Sequence, residues 1–284
     1  MRCREIGPGF VAQVTDLDLT RPVTALQYGQ LNRWLDQYLV LVMPRQALTE
    51  SQQIDFSALF GPPSERSRPQ DQRVEQSPFA HLIGVVTNVR DNGQPIGSLP
   101  DGEMWFHHDG CFIERPYRAT VLRAVQVTST GGETLFVDMR QVYESLPAAL
   151  RAATVGRSAV HVFDYRTLNQ QPDPAMDLSR VRHAVHPAVI QHPRSGAHAL
   201  YVNPLCTVRF IGMPVDESQA LLHELTTAIL QSSACYRHRW DVDDLVIWDN
   251  WASCHARTDF PSGEVRMLRR SIVSGQPLEP ALSQ

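Results

Sequence analysis

His107, Asp109, His255 and Arg266 are the residues of this 284-residue chain whose types and spacing could do chemistry. His107-His108-Asp109 offers an imidazole and a carboxylate two positions apart, His255 adds a second imidazole far downstream, and Arg266 follows eleven residues later. Two histidines and one carboxylate on one face of a metal leave the opposite face open, as non-haem Fe(II) oxygenases require. An arginine nearby would give an anionic cosubstrate its counter-charge. The same ligands suit Zn(II), so a zinc hydrolase is an alternative, though no general base stands out beside the metal. On a strand, residues i and i+2 share a face. One strand could thus present His107 and Asp109 together while His108 points away, and His255 would come from a later strand or turn across a barrel.

Those residues need a scaffold. With 43% hydrophobic and 20% charged residues the chain can bury a large core. A net charge of −4 without a Lys/Arg run argues against a nucleic-acid partner. No apolar stretch reaches the roughly 18–20 residues of a membrane span. The opening MRCREIGPGF lacks the apolar segment of a signal peptide, so a cytoplasmic protein without a membrane partner is expected. Cys3, Cys111, Cys206, Cys235 and Cys254 are odd in number and contain no CxxC, which favours free, buried thiols over a disulfide framework or zinc ribbon.

Leu26, Leu31, Trp34, Leu35 and Tyr38 fall at helical spacing. Leu39–Met43 reads as a buried strand, and Thr49 with Gln52 opens a second helix. The polar stretch from Pro62 to about Phe79 reads as a mobile loop, and residues 90–103 as turns. Strands are expected over Arg118–Val127, Thr134–Val137, Ala159–Phe163, Ala199–Val202, Leu245–Trp248 and Ser271–Val273. Helices are expected over Asp138–Ala153 and Asp216–Gln231, the latter with Leu221, Leu222, Leu225, Ile229 and Leu230 as its core face. Short strands separated by turn signals suggest a mostly β fold with flanking helices, a double-stranded β-helix or jelly roll, as one domain over residues 1–284.

The segment WFHHDGCFIERPYRATVLRAVQVTSTGGETLFVDMRQVYESLP, from Trp105 to Pro147, resembles the TauD/TfdA family of Fe(II)- and 2-oxoglutarate-dependent dioxygenases. It matches the family pattern of W-H-x-D-x-x-F, S-x-G-G-x-T-x-F and Y-x-x-L. The C-terminal WDNWASCHARTDFPSGEVRMLRRSIVSG matches W-D-N…H…R-x-x-x-R, and weaker likeness covers nearly the whole chain. The resemblance implies that His107, Asp109 and His255 bind Fe(II), and that Thr134 and Arg266 hold the distal carboxylate of 2-oxoglutarate. It further implies oxidation of a substrate C–H bond by O2, with succinate and CO2 as coproducts. Hydroxylation is the usual ending, and desaturation or ring formation an alternative. The retained Asp109 disfavours halogenation. The partner implied is a small molecule, and a homo-oligomer fits family likeness.

Each of these residues also has a plainer reading. Thr134 suits a strand by propensity, Arg266 could be solvated, and Arg270 could form a salt bridge within the barrel rather than meet an anionic substrate; Arg269 beside it leaves open which one faces the pocket. Arg257 is expected to brace a carboxylate such as Asp249. Glu103 could read a substrate amine or simply be solvated, and Asn88 could hold its loop or the substrate. Arg270 and Glu103 together would suit a zwitterion such as an amino acid. A jelly roll that binds 2-oxoglutarate or metal without turnover is a further alternative, disfavoured by the complete ligand set.

Overall fold

The computed structural model describes residues 1–66, 77–99, 101–164 and 168–281. Its layering follows from strands that are buried on both faces. In β3 (Val40–Met43) and β16 (Leu245–Asp249), Val40, Val42, Val246 and Trp248 enter one apolar cluster while Leu41, Met43, Leu245 and Ile247 enter another. Apolar side chains pointing both ways are the mark of a strand between two layers.

Both strands lie in a seven-stranded sheet. Its order is β1 (Arg2–Glu5), β2 (Val11–Thr15), β3, β16, β8 (Ala119–Gln126), β18 (Met267–Val273) and β4 (Gly84–Thr87). Every neighbouring pair is antiparallel except β2 with β3. Helices α1 (Ala25–Tyr38) and α2 (Glu50–Ala58) cover one face, each opened by a capping box, Thr24 with Gln27 and Thr49 with Gln52. Leu31, Leu35, Phe56 and Phe60 pack there against Leu41, Val121, Ile247 and Val273.

The other face meets a four-stranded antiparallel sheet ordered β15 (Cys235–His238), β9 (Thr134–Asp138), β17 (Ser253–Arg257) and β7 (Met104–His107). Met104, Phe106, Phe136, Cys254 and Ala256 from this sheet share a core with Val40, Leu122, Val246, Trp248 and Leu268 from the larger one. Two facing sheets with helices outside make a mostly β fold, consistent with the expected jelly roll.

A smaller sheet, β11 (His183–Pro187), β10 (Ser158–Val162) and β14 (Thr207–Phe210), and the hairpin β12 (Val189–Gln191)–β13 (His198–Leu200) extend the core. The expected turn region holds a further hairpin, β5 (Arg90–Asp91)–β6 (Gln94–Pro95), whose Asn92 and Gly93 take φ of 48° and 79°. That is the type I′ turn that Asn-Gly favours.

The expected helix over 138–153 is two, α3 (Met139–Ser145) and α4 (Ala148–Thr154). Leu146 precedes Pro147 and is forced out of the helical region, to φ −61° and ψ 141°. Helix α5 (Val215–Leu230) buries Leu221, Leu222, Leu225 and Ile229, but Leu230 is 62% exposed, a step of about 100° round the helix from Ile229. Leu26, in the first turn of α1, is likewise exposed. The expected loop after Pro62 falls mostly on residues 67–76, outside the described residues.

Candidate active site

Strand β7 ends at His107, so Asp109 comes from the turn beyond it rather than from the strand itself. His255, in β17, is the direct cross-strand partner of His107. The expectation of opposite sides of a barrel therefore gives way to adjacent strands of one sheet, with imidazole centroids 4.1 Å apart. Each histidine Nε2 lies 3.8 Å from an Asp109 oxygen, His107 nearest Oδ1 and His255 nearest Oδ2. That is too long for a hydrogen bond. The three ligand atoms lie within 4.8 Å of one another, and among the described residues no other group of His, Cys, Asp or Glu meets that condition.

The protonation states suit a cation. Burial depresses the pKa of His107 and His255 against the pull of Asp109, leaving both imidazoles neutral. Burial opposes the charge of Asp109 too, but Arg270, then the two histidines and Thr120, lower its pKa to about 2. His107 Nδ1 sits 2.9 Å from the Trp105 carbonyl, to which it can only donate, so its Nε2 lone pair faces inward. Two neutral imidazoles and an ionised carboxylate, converging without hydrogen bonds among themselves, fit a divalent cation.

The triad opens onto a partly enclosed cavity. Val86, Leu99, Met104, Leu122, Trp248 and Ala256 line it with apolar surface; Thr134, Arg257, Arg266 and Arg270 supply the other polar groups. Arg266 is 3% exposed. Its Nε donates to the Gly132 carbonyl at 3.0 Å, and no carboxylate pairs with it among the described residues. Burial, then Arg257, lowers its pKa to about 9. The two glycines of the GGET motif follow from this packing. Gly132 has φ +68°, and a Cβ there would come 2.9 Å from Arg266 Nε; one on Gly131 would come 2.3 Å from the Asp259 carbonyl. Asn88 accepts from the Arg266 backbone N–H at 2.9 Å and donates to the Glu264 carbonyl at 2.8 Å. It holds the chain leading into β18 and does not line the cavity.

Alternation along β18 settles which arginine faces inward. Arg270 shares the cavity side with Leu268 and lies 3.4 Å from Asp109 Oδ1, whereas Arg269 reaches Glu50 on α2 at 3.5 Å. Arg257 does not brace Asp249. On the same face of β17 as His255, it donates instead to the carbonyls of Leu99, Asp101 and Gly102 at 2.6, 2.8 and 2.6 Å. Asp249 is met by His192 at 3.1 Å and by the backbone N–H groups of Trp251 and Ala252. Glu103 is exposed, accepts from Asn169 at 3.3 Å and is not brought to the cavity. His108 points away from the triad, stacking on Tyr201 beside Cys254 and Asn203.

Sequence reasoning passed over Trp240, Thr120 and Trp248. Trp240 Nε1 donates to Thr134 Oγ1 at 3.0 Å. An indole can only donate, so the threonine keeps its own hydrogen for another acceptor. Thr120 donates to Asp109 Oδ2 at 2.8 Å, and the Trp248 ring lies 4.6 Å from that of His255. The W-D-N motif was a signal for Trp248; Thr120 had none.

The sequence model of the family described as taurine catabolism dioxygenase TauD, TfdA family matches residues 2–272. The chain is 32% identical over 274 residues to the alpha-ketoglutarate-dependent 2,4-dichlorophenoxyacetate dioxygenase of Cupriavidus pinatubonensis, covering 93% of this chain and 94% of that protein. It is 30% identical over 292 residues to pentalenolactone F synthase of Streptomyces avermitilis, covering 96% and 94%. Among solved structures, a taurine dioxygenase from Burkholderia xenovorans superposes with a TM-score of 0.79 at 25% identity, covering all of this chain and 96% of that one. AAD-2 in complex with Mn(II) and N-oxalylglycine superposes with a TM-score of 0.79 at 26% identity, covering 99% of each.

Proposed function

The chain belongs to the TauD/TfdA family and is an Fe(II)- and 2-oxoglutarate-dependent oxidoreductase; from that premise we propose that it hydroxylates a C–H bond of a small anionic molecule, with His107, Asp109 and His255 as its metal ligands. With 2-oxoglutarate and O2, the bound ion supplies the oxidising power for C–H cleavage, and succinate and CO2 are coproducts. The protein holds and aligns the reactants. Arg266 receives the distal carboxylate of 2-oxoglutarate, and Thr134 donates its hydroxyl hydrogen to the same group. The apolar wall of Val86, Leu122 and Trp248 keeps water from the reacting carbon. Arg270, on the cavity side of β18, meets the anionic group of the substrate.

The buried guanidinium of Arg266, facing the cavity with no acid paired to it among the described residues, carries this reading: a desolvated cation is unfavourable until an anion arrives. The zwitterion rested on Glu103, which lies outside the cavity, so the substrate class narrows to anions. A relative named for an aryloxyacetate supports that narrowing. The reading treats residues 1–284 as one domain acting in the cytoplasm, and no helix of the described residues is long and apolar enough to cross a membrane.

Anaerobic optical titration tests the site. Fe(II) and 2-oxoglutarate together should raise a weak visible charge-transfer band in the wild type and none in His255→Ala. A band in neither protein would overturn the reading. Aryloxy and sulfonate acids should then perturb the wild-type band but not that of Arg270→Gln.

A further inference from the structure

Asp109 Oδ2 is the last acceptor in a buried chain of three hydrogen bonds. Trp248 Nε1 donates to Asn250 Oδ1 at 2.8 Å, Asn250 Nδ2 to Thr120 Oγ1 at 2.8 Å, and Thr120 Oγ1 to Asp109 Oδ2 at 2.8 Å. Trp248, Asn250 and Thr120 are all at most 1% exposed. Two elements place the links: the register of β16 on β8 sets Trp248 opposite Thr120, and Asn250 follows β16, with its backbone N–H on the Arg118 carbonyl at 2.8 Å.

The chain runs one way only. An indole nitrogen donates and cannot accept, so the Asn250 amide must turn its oxygen to Trp248 and its NH2 to Thr120. The threonine hydroxyl receives that N–H on a lone pair, and its single hydrogen is left for Asp109. The other carboxylate oxygen, Oδ1, has Arg270 at 3.4 Å. The two oxygens thus have different partners, and the carboxylate cannot rotate without losing one.

We propose that Asn250 and Thr120 are positioning residues for the metal ligand Asp109: the one-way chain from the Trp248 indole delivers a hydroxyl hydrogen to Oδ2 and fixes the carboxylate in one orientation before the ion binds. This rests on the triad being the metal site and identifies what orients its anionic ligand. Polarity, rather than shape, is the active element. Asn250→Asp nearly preserves shape and still accepts from Trp248, yet it no longer donates to Thr120. The Thr120 hydrogen is then drawn to the new carboxylate and away from Asp109.

Co(II) titration of the metal-stripped protein, followed by visible absorption, tests this without turnover. Thr120→Val and Asn250→Asp should each weaken Co(II) binding by about 10- to 100-fold, the usual cost of losing a group that orients a ligand. Thr120→Ser, which keeps the hydroxyl, should restore wild-type affinity. The double variant should bind no more weakly than the worse single, because both break one chain. Wild-type affinity in both single variants, or losses that multiply in the double, would overturn the proposal while leaving the metal site intact. A wild-type protein that takes up no Co(II) would overturn the metal-site reading itself and this one with it.

Discussion

Arg266 and Asp109 face the same cavity in opposite electrostatic conditions. Asp109 has Arg270, two imidazoles and the Thr120 hydroxyl around it, and its charge is stable in place. Arg266 has a backbone carbonyl and a second arginine nearby, and its pKa is pressed down to about 9 by burial and by Arg257. A flat guanidinium fork matches a carboxylate in two parallel bonds, which an ammonium cannot do. Arg266→Lys should therefore weaken 2-oxoglutarate binding by about 10- to 100-fold, the scale of losing one charge-assisted contact of about 1.5–3 kcal/mol. Isothermal titration in the presence of Mn(II) reads this directly. Arg266→Met should abolish 2-oxoglutarate binding while leaving the apoprotein's melting temperature unchanged or higher, because a buried cation with no counter-charge among the described residues gives way to an apolar side chain. A large loss of apoprotein stability would instead mark Arg266 as a structural residue.

The turn and strands around the site set that geometry, and the turn has a plain sequence reason. The turn before β9 passes under the Arg266 side chain only because Gly132 has no Cβ and accepts φ +68°. Gly132→Ala should cost about 1–2 kcal/mol of stability from the left-handed backbone alone. It should also weaken 2-oxoglutarate binding, because a Cβ 2.9 Å from Nε must displace the guanidinium. Thermal unfolding and the same titration check the two effects, and unaltered binding would show that the side chain gives way without consequence. The glycines, the His107–Asp109–His255 triad, Arg266 and Arg270 were legible as motif positions. The strands that carry the two triad histidines were not, because MWFH and SCHAR contain no polar–apolar alternation: β17 is buried throughout and β7 at three of its four residues. Nor could spacing tell that β17 lies between β7 and β9, since that pairing joins segments more than a hundred residues apart. Arg257 was misassigned for the same reason: its carbonyl partners at Leu99, Asp101 and Gly102 are remote in sequence. The broken helix at Pro147, by contrast, was readable from the proline alone.

The molecule as a whole buries several imidazoles. His107, His108, His161 and His255 are all 8% exposed or less, and burial depresses each of their pKa values, that of His108 to about 3. In the unfolded chain a histidine titrates near 6.5, so below that pH the unfolded state binds protons that the folded apoprotein refuses. Each such group therefore contributes stability that is complete above about pH 6.5 and is lost, by up to about 1.4 kcal/mol per pH unit, as the pH falls toward its folded value. Asp109 acts lower on the scale. Its carboxyl, held at about 2, keeps its stabilising contribution until the pH drops below the unfolded value near 4. The expected result for metal-stripped protein is a melting temperature that declines from about pH 6.5 downward, well before carboxylates begin to protonate. His161→Leu should flatten that decline: His161 lies outside the triad, its Nε2 is buried with no hydrogen-bond partner among the described residues, and the substitution gives up a bond to Thr207 at 3.2 Å and ring contacts with His186 and Tyr201. A melting temperature that stays level from pH 7 to 4.5 would mean that these imidazoles reach water or a proton acceptor in the folded chain, and the neutral-ligand state argued for the metal site would lose its physical basis.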